Sequence, residues 1–299
     1  MGSQVALGHP DHQHAAGLQQ EKSMPRTEVG SGENQSVTRA IDILNLLAEA
    51  PEPLGVREIA RRLDLAASNV QRLIKTLAKA GYLEQTEGTL RYKIGYRAFQ
   101  VGSAFVGQNS LYSAVMPELY SLAGQHITGF LGVLREQSVV YLATVQSEGP
   151  IAITHRPGSQ THLHSTAMGK ALLAEMSDQE IRTLLGFNPL PRITPSTKVS
   201  VAHLLKEIDA IREAGYATSE EENRQGFFSA GAVVRGVGGN AIAVVSGAVP
   251  TAILRTNDRA NIARLVVEAA QNASRKLGAP KIPVALALSR RSAASKAAR

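Results

Sequence analysis

Ser68, Asn69, Gln71, Arg72 and Lys75 stand within one short stretch, SNVQRLIK, and each carries groups that can meet base edges or phosphates. Between and beyond them fall Val70, Leu73, Ile74 and Leu77. A helix here therefore presents an apolar stripe on one side and the polar set on the other. Ser, Asn, Gln and Arg on the exposed first turns of a helix are the chemistry of a major-groove contact. Arg39, Arg57, Arg91 and Lys93 are placed to grip flanking phosphates.

Such side chains need a frame, and the preceding residues supply one. SVTRAIDILNLLAEA reads as a first helix with Ser36 as its cap and Val37, Ile41, Leu44, Leu47 and Ala48 on one side. The loop PEPLG ends it. VREIARRLD gives a short second helix with Ile59, Ala60 and Leu63 inward, and a tight turn at residues 65–67 leads to a third helix capped by Ser68. Gly81 stops that helix, and YLEQTEGTLRYKIG makes two strands about Glu87 and Gly88. Helix, short helix, turn, helix and hairpin is the order of a winged helix-turn-helix. A three-helix core serving protein contacts is the bland alternative, and the order of elements favours DNA.

The net charge of +7 is a weak guide to that partner. Arg275, Lys276, Lys281, Arg290, Arg291, Lys296 and Arg299 all follow the last acid, Glu268, so residues 1–274 are neutral. Electropositivity of the head must come from placement on one face. The chain has 299 residues, 43% of them apolar, enough for two cores. With no cysteine, disulfides, thiol nucleophiles and thiolate zinc sites are excluded. No run approaches the ~18 apolar residues of a membrane span, and the first thirty residues lack a signal-peptide core, which predicts a cytoplasmic protein without a membrane partner. His9, His12 and His14 lie in a segment without periodicity and are read as adventitious, so no metal or cofactor is expected.

The predicted organisation is a disordered tail over 1–34, the DNA-binding domain over 35–95, a linker helix over 96–110, a second domain over 111–280 and a basic tail over 281–299. In the second domain TGFLGVL, SVVYLATVQ and IAITHR read as strands, THLHSTAMGKALLAEM, SDQEIRTLLG and VAHLLKEIDAIREAG as helices, and NPLPRITPSTKVS as loop. Two further strands, FFSAGAVVRG and NAIAVVSGAV, enclose a glycine-rich turn, and a helix from Asn257 to Leu277 closes the domain. Helices packed on an antiparallel sheet make the fold class α/β in the α+β sense. Three segments could line a pocket: His164–Lys170, Thr218–Asn223 followed by Gly226–Ser229, and Val244–Gly247. In the first, Thr166 begins a helix whose small residues leave N–H groups open to a carboxylate. Spacing alone does not make the three converge.

QSVTRAIDILNLLAE, LGVREIARRLDLAASNVQRLIKTLAKAGYLEQ, LHSTAMGKALLA, REAGYATSEEENRQG and AVVSG follow one another in an order that resembles the IclR family of transcriptional regulators, over roughly residues 35–280. The resemblance implies a winged helix-turn-helix joined by the linker helix to a GAF-like effector-binding domain. It also implies a homodimer or dimer of dimers on a pseudo-palindromic double-stranded DNA operator, controlling catabolic genes for small organic acids. Relatives like the glyoxylate-bypass repressor hold an anion at the helix start that corresponds to Ala167 and Met168 after Thr166. The matching acidic position is Ser219, beside Glu220. The matching cysteine is Ser229, and the two serines correspond to Val244 and Ser246. These departures, with Phe227 and Phe228 nearby, favour a larger, partly aromatic carboxylic acid.

Two rivals come from other classes. An enzyme could use His164, Ser165 and the Glu220–Glu222 run, but no GxSxG, HExxH, Walker or GxGxxG motif is present, and glutamate runs are normally solvated surface. His162 and His164 can simply be hydrogen-bonded residues. An architectural DNA binder predicts affinity without operator preference and no response to a small molecule.

Overall fold

The computed structural model describes residues 34–148, 153, 155–186, 189–255 and 258–280. The expected tails, apart from Asn34, and half of the expected IAITHR strand lie outside the described residues. The chain divides into two compact units, one up to Phe105 and one from Val106.

The first unit opens with α1 (Gln35–Glu49). Its cap is Asn34, not Ser36: the Asn34 side chain accepts from the Ser36 N–H at 3.1 Å, satisfying a donor that has no intrahelical partner. β1 (Leu54–Gly55) and α2 (Val56–Leu63) follow. Asp64 then takes a left-handed conformation (φ 52°), which an aspartate tolerates better than most side chains. That turn lets α3 (Ala67–Lys79) begin with Ala66 as its cap, so Ser68 is an exposed helical residue and not the cap. β2 (Leu83–Gln85) and β3 (Arg91–Ile94) form the wing, and β3 also pairs with β1, a strand too short to show in the sequence. Ile43, Leu47, Ile59, Val70, Ile74, Leu83 and Tyr92 make the core. The apolar face of α1 is wider than this core can cover. Ile43 and Leu47 turn in, while Val37 and Ile41 stay about half exposed.

α4 (Tyr96–Gln108) spans the division between units. The second unit continues with α5 (Ser110–Gly124), β4 (Thr128–Arg135), β5 (Ser138–Val145) and β6 (Gln160–His162). Then come α6 (Ala167–Leu173), α7 (Asp178–Leu185) and α8 (Val201–Ala214). β7 (Ala217–Glu220), β8 (Phe227–Arg235), β9 (Ala241–Pro250) and α9 (Asp258–Lys276) complete it. The strands form one antiparallel sheet in the order β6-β5-β4-β9-β8-β7. One face buries Leu131, Val133, Val245 and Val249 against α5 and α9; the other buries Phe130, Val139, Tyr141 and Val244 against α6 and α8. The helix expected from Thr161 is divided: residues 160–162 pair as an edge strand with β5, and α6 starts only after Thr166, whose side chain accepts from the Gly169 N–H. Glycines let α6 lie close on the sheet. A Cβ on Gly231 would sit 2.8 Å from the Ala167 backbone, and one on Gly132 only 2.2 Å from the Met168 methyl.

Candidate DNA interface and ligand cavity

On α3, Val70 and Ile74 are buried, which turns Ser68, Arg72, Lys75 and Lys79 outward as one stripe at spacings of three and four residues. Asn69 and Gln71 flank it, half-buried. Among the described residues Arg72 and Lys75 form no ion pair, and neither does Arg57, exposed in the first turn of α2. The wing cations are already engaged. Arg91 donates to the Pro53 carbonyl at 2.9 Å and stands 3.6 Å from Glu58, while Lys93 stands 3.7 Å from Glu84. Arg39 is half-buried on α1. Unpaired charges thus stand on the recognition helix and at Arg57 of α2, where anionic DNA can claim them without competing carboxylates.

The second unit encloses a cavity of about 480 Å³, counting its open mouth. Thr166, Ala167 and Met168 from the head of α6 meet Ser219 of β7, Ser229 of β8 and Ser246 of β9 on its wall. These six anticipated residues come from all three of the segments whose convergence the spacing left open. Glu220, Phe228 and Val244 do not line it, for reasons of strand geometry. Ser219 faces the cavity, so Glu220 points away, to an exposed ion pair with Arg259. Phe227 lines the cavity instead of Phe228, which packs on the opposite sheet face under the Arg259 guanidinium. Val244 shares the face of Ser246 but is wholly buried in the apolar core.

The remaining wall was not foreseen. Phe130 and Tyr141 contribute aromatic surface, and the His155 ring stacks on Tyr141 at 4.3 Å with planes 7° apart. Ile153, Ala248, Asn223 and Arg224 complete the lining. The one signal available in sequence was that every second residue of a strand must face the same way, which selects Phe130 with Gly132 and Phe227 with Ser229. Burial pushes the Tyr141 hydroxyl up to about 12, against a hydrogen bond with Thr161 that works the other way. Burial, and next the charge of Arg224, hold His155 below its ordinary value, so the ring is neutral at pH 7. Of the described residues lining the cavity, Arg224 alone is then charged, and no carboxylate is among them.

Hydrogen-bonding capacity is left over at the deep end. The Gly169 N–H is taken by Thr166, and the first N–H groups of a helix have no intrahelical acceptor, which leaves those of Ala167 and Met168 for an occupant. Ser219 donates to the Ser165 carbonyl at 2.8 Å. Ser246 is 3% exposed and stands on the same wall.

Behind the cavity one glutamate of the run, Glu222, is buried. Lys170, fully buried on α6, donates to Glu207 at 2.7 Å and to Glu222 at 2.8 Å. Lys198 reaches Glu207 at 2.7 Å and Glu222 at 3.7 Å, so two cations face two carboxylates. The Glu222 carbonyl accepts from Thr194 and Thr197. His164 is buried with Nε2 2.9 Å from the Pro191 carbonyl; burial lowers its pKa against that bond and against Glu222. The acid–base groups a hydrolase would need are therefore committed to structure.

Residues 109–275 match the model of the bacterial transcriptional regulator IclR C-terminal domain, and residues 36–87 match that of the IclR helix-turn-helix domain. The HTH-type transcriptional regulator BhcR of Paracoccus denitrificans is 32% identical over 263 residues, covering 85% of this chain and 93% of its own length. Among solved structures, an IclR transcriptional regulator from Alicyclobacillus acidocaldarius superposes with a TM-score of 0.75 at 24% identity, covering 82% of this chain and all of that one. An IclR homologue from Microbacterium hydrocarbonoxydans, solved as a complex with 4-hydroxybenzoate, has a TM-score of 0.72 at 20% identity, covering 81% of this chain and 98% of its own.

Proposed function

The chain belongs to the IclR family of bacterial transcriptional regulators, DNA-binding proteins and not enzymes, and on that premise we propose that it senses a small aromatic carboxylic acid in the cavity beneath α6. The observation that carries this reading is the convergence of Ser246 with the Ala167 and Met168 head of α6 on one cavity wall. A carboxylate supplies acceptors to all three. Phe130, Tyr141 and Phe227 supply flat apolar walls, and no lining carboxylate repels an anion. The Microbacterium relative's complex with an aromatic acid is in keeping with that chemistry.

On DNA, Arg72 and its neighbours Ser68, Asn69 and Gln71 read base edges while Lys75, Arg57, Arg39 and the wing residues Arg91 and Lys93 hold phosphates. Two copies of the chain pair through α4, where Tyr96, Phe99, Val101 and Phe105 are each about half exposed or more. Exposed apolar side chains in such number on one helix are what a partner covers. A two-fold pair then presents two α3 helices to a pseudo-palindromic operator. The acid shifts operator affinity only by its own difference in affinity between the DNA-competent form and the other.

The test is footprinting on the chain's own upstream DNA at fixed salt, titrated with aliphatic and aromatic carboxylic acids. Protection of a two-fold sequence that one aromatic acid changes is the expected result. Specific protection that no acid alters removes the effector reading and keeps the regulator.

A further inference from the structure

The cavity has a second polar pole, and its residues are set apart from those that meet the first carboxylate. Ser219, Ser229 and Ser246 lie on three adjacent strands under the head of α6. Arg224 lies on the loop between β7 and β8 and is exposed, so it contributes to the wall at the mouth. An occupant reaching from one pole to the other passes the aromatic faces of Tyr141 and Phe227.

Arg224 is held on a fixed loop. The Glu221 N–H donates to the Phe227 carbonyl at 2.8 Å, closing the turn. The Glu222 side chain is bonded to Lys170 from below. Asn223 Oδ1 accepts from Ser165 at 3.0 Å, and the Gly226 carbonyl accepts from the Thr251 N–H at 2.8 Å. Residues on either side of it are tied, yet Arg224 forms no ion pair among the described residues. Its guanidinium stands over the Phe227 ring at 5.4 Å, a contact that fixes a direction and leaves the charge unmatched. That charge is felt inside the cavity, since it helps to keep His155 neutral. A planar fork beside an aromatic wall is suited to a carboxylate taken edge-on.

We propose that Arg224 is a specificity-determining residue that receives a second anionic group, so that the effector is a dicarboxylate with a flat apolar middle and not a monoacid. The inference rests on the carboxylate reading of the cavity given above. Arg224 is exposed, so its preference is that of one screened charge-assisted pair, up to about fivefold in affinity.

The experiment measures calorimetric affinity of the full-length protein for benzene-1,4-dicarboxylate, benzene-1,3-dicarboxylate and hexanedioate, each beside its monoamide, with benzoate as the monoacid reference. Each pair matches shape and differs in the second charge. The expected result is a preference of about fivefold for at least one diacid over its monoamide, abolished in Arg224→Gln and reduced in Arg224→Lys, which keeps the charge without the planar fork, while the affinity for benzoate falls by less than that for the diacid. Equal affinity for every diacid and its monoamide, with benzoate still bound, overturns the role of Arg224 and leaves the carboxylate reading standing. A preference that survives Arg224→Gln also overturns it, because the second charge is then met elsewhere. Failure of every acid, benzoate included, to bind overturns both.

Discussion

Lys170→Met breaks the buried network behind the cavity, and its cost can be worked from the contacts. The wild-type cluster balances two cations, Lys170 and Lys198, against Glu207 and Glu222. Methionine fills similar volume, so little of the loss comes from packing. Glu207 keeps Lys198 at 2.7 Å and is partly solvated. Glu222 fares worse: its side chain is 6% exposed, its Oε2 has no partner, and Lys198 is 3.7 Å from its Oε1. Removing the cation therefore strands one buried carboxylate, a change worth about 3–5 kcal/mol of stability. Adding Glu222→Gln removes the stranded charge and should recover at least about 1 kcal/mol, where independent sites would only add further loss. The effect also depends on pH. Burial would raise the Glu207 pKa, but the charge of Lys170 and hydrogen bonds from both lysines outweigh it and hold the group below its ordinary value. A depressed carboxylate stabilises the fold above the unfolded value of about 4.3 and loses that contribution as pH falls through the folded one. The part of the gap that Glu207 carries is thus full at pH 7 and is lost as pH falls through its folded pKa. Urea denaturation followed by circular dichroism measures each quantity. A Lys170→Met protein within about 0.5 kcal/mol of wild type at pH 7, or a double variant weaker than the single, refutes the reasoning.

Other perturbations test other parts. Arg72→Ala should cost about 1–3 kcal/mol on operator DNA and little on random duplex, whereas Lys75→Ala should weaken both alike and lower the salt slope by about one; equal losses on both duplexes for both variants would remove the division of roles. Lys93→Ala should cost less than Lys75→Ala, because Lys93 must first leave Glu84. Gly231→Ala should abolish acid binding, since its Cβ would stand 2.8 Å from the Ala167 carbonyl and 3.0 Å from the Met168 nitrogen and push the head of α6 off the sheet; calorimetry with benzoate checks this. On the proposed pairing through α4, Phe99→Ser should shift light scattering towards the monomer, since the ring it removes is 66% exposed.

The DNA-binding unit was legible residue by residue because its signals are local. The 3.6-residue period places Val70 and Ile74 inside and thereby places Arg72 and Lys75 outside, with no long-range information needed. Where reading failed in that unit, the cause was local too: Asn34 out-competed Ser36 for one cap, and a two-residue strand left no pattern. The cavity is a different case. Its wall is assembled from β4, β5, α6, β7, β8 and β9, and no spacing within one segment says that Tyr141 will meet Phe227. Ser219, Ser229 and Ser246 were reached through resemblance, while Glu220 and Phe228 were lost by not applying the two-residue period to the same strands. Arg224 was missed because it is a loop residue in a polar run, where nothing marks one side chain as different from its neighbours.

That polar run, Glu220 to Asn223, also changes how the unit must work. Read as sequence it is a solvated patch, yet the four residues separate into four environments: Glu220 pairs with Arg259 outside, Glu221 turns the chain at φ 58°, Glu222 is buried against Lys170, and Asn223 lines the cavity. Lys170 stands on the same short helix whose first residues, Ala167 and Met168, form the opposite wall. One ion pair therefore ties the two walls together at a fixed separation. An acid held between them adds its bonds to a frame already closed, and gains affinity because little ordering remains for it to impose. Its regulatory effect must come from elements whose position differs between forms, since a rigid frame alone binds equally in both. Lys170→Met separates these roles. Loosening the tie should weaken acid binding at pH 7 while operator binding without acid stays as it was. Loss of operator binding in a folded Lys170→Met protein would place the network in the signalling path itself.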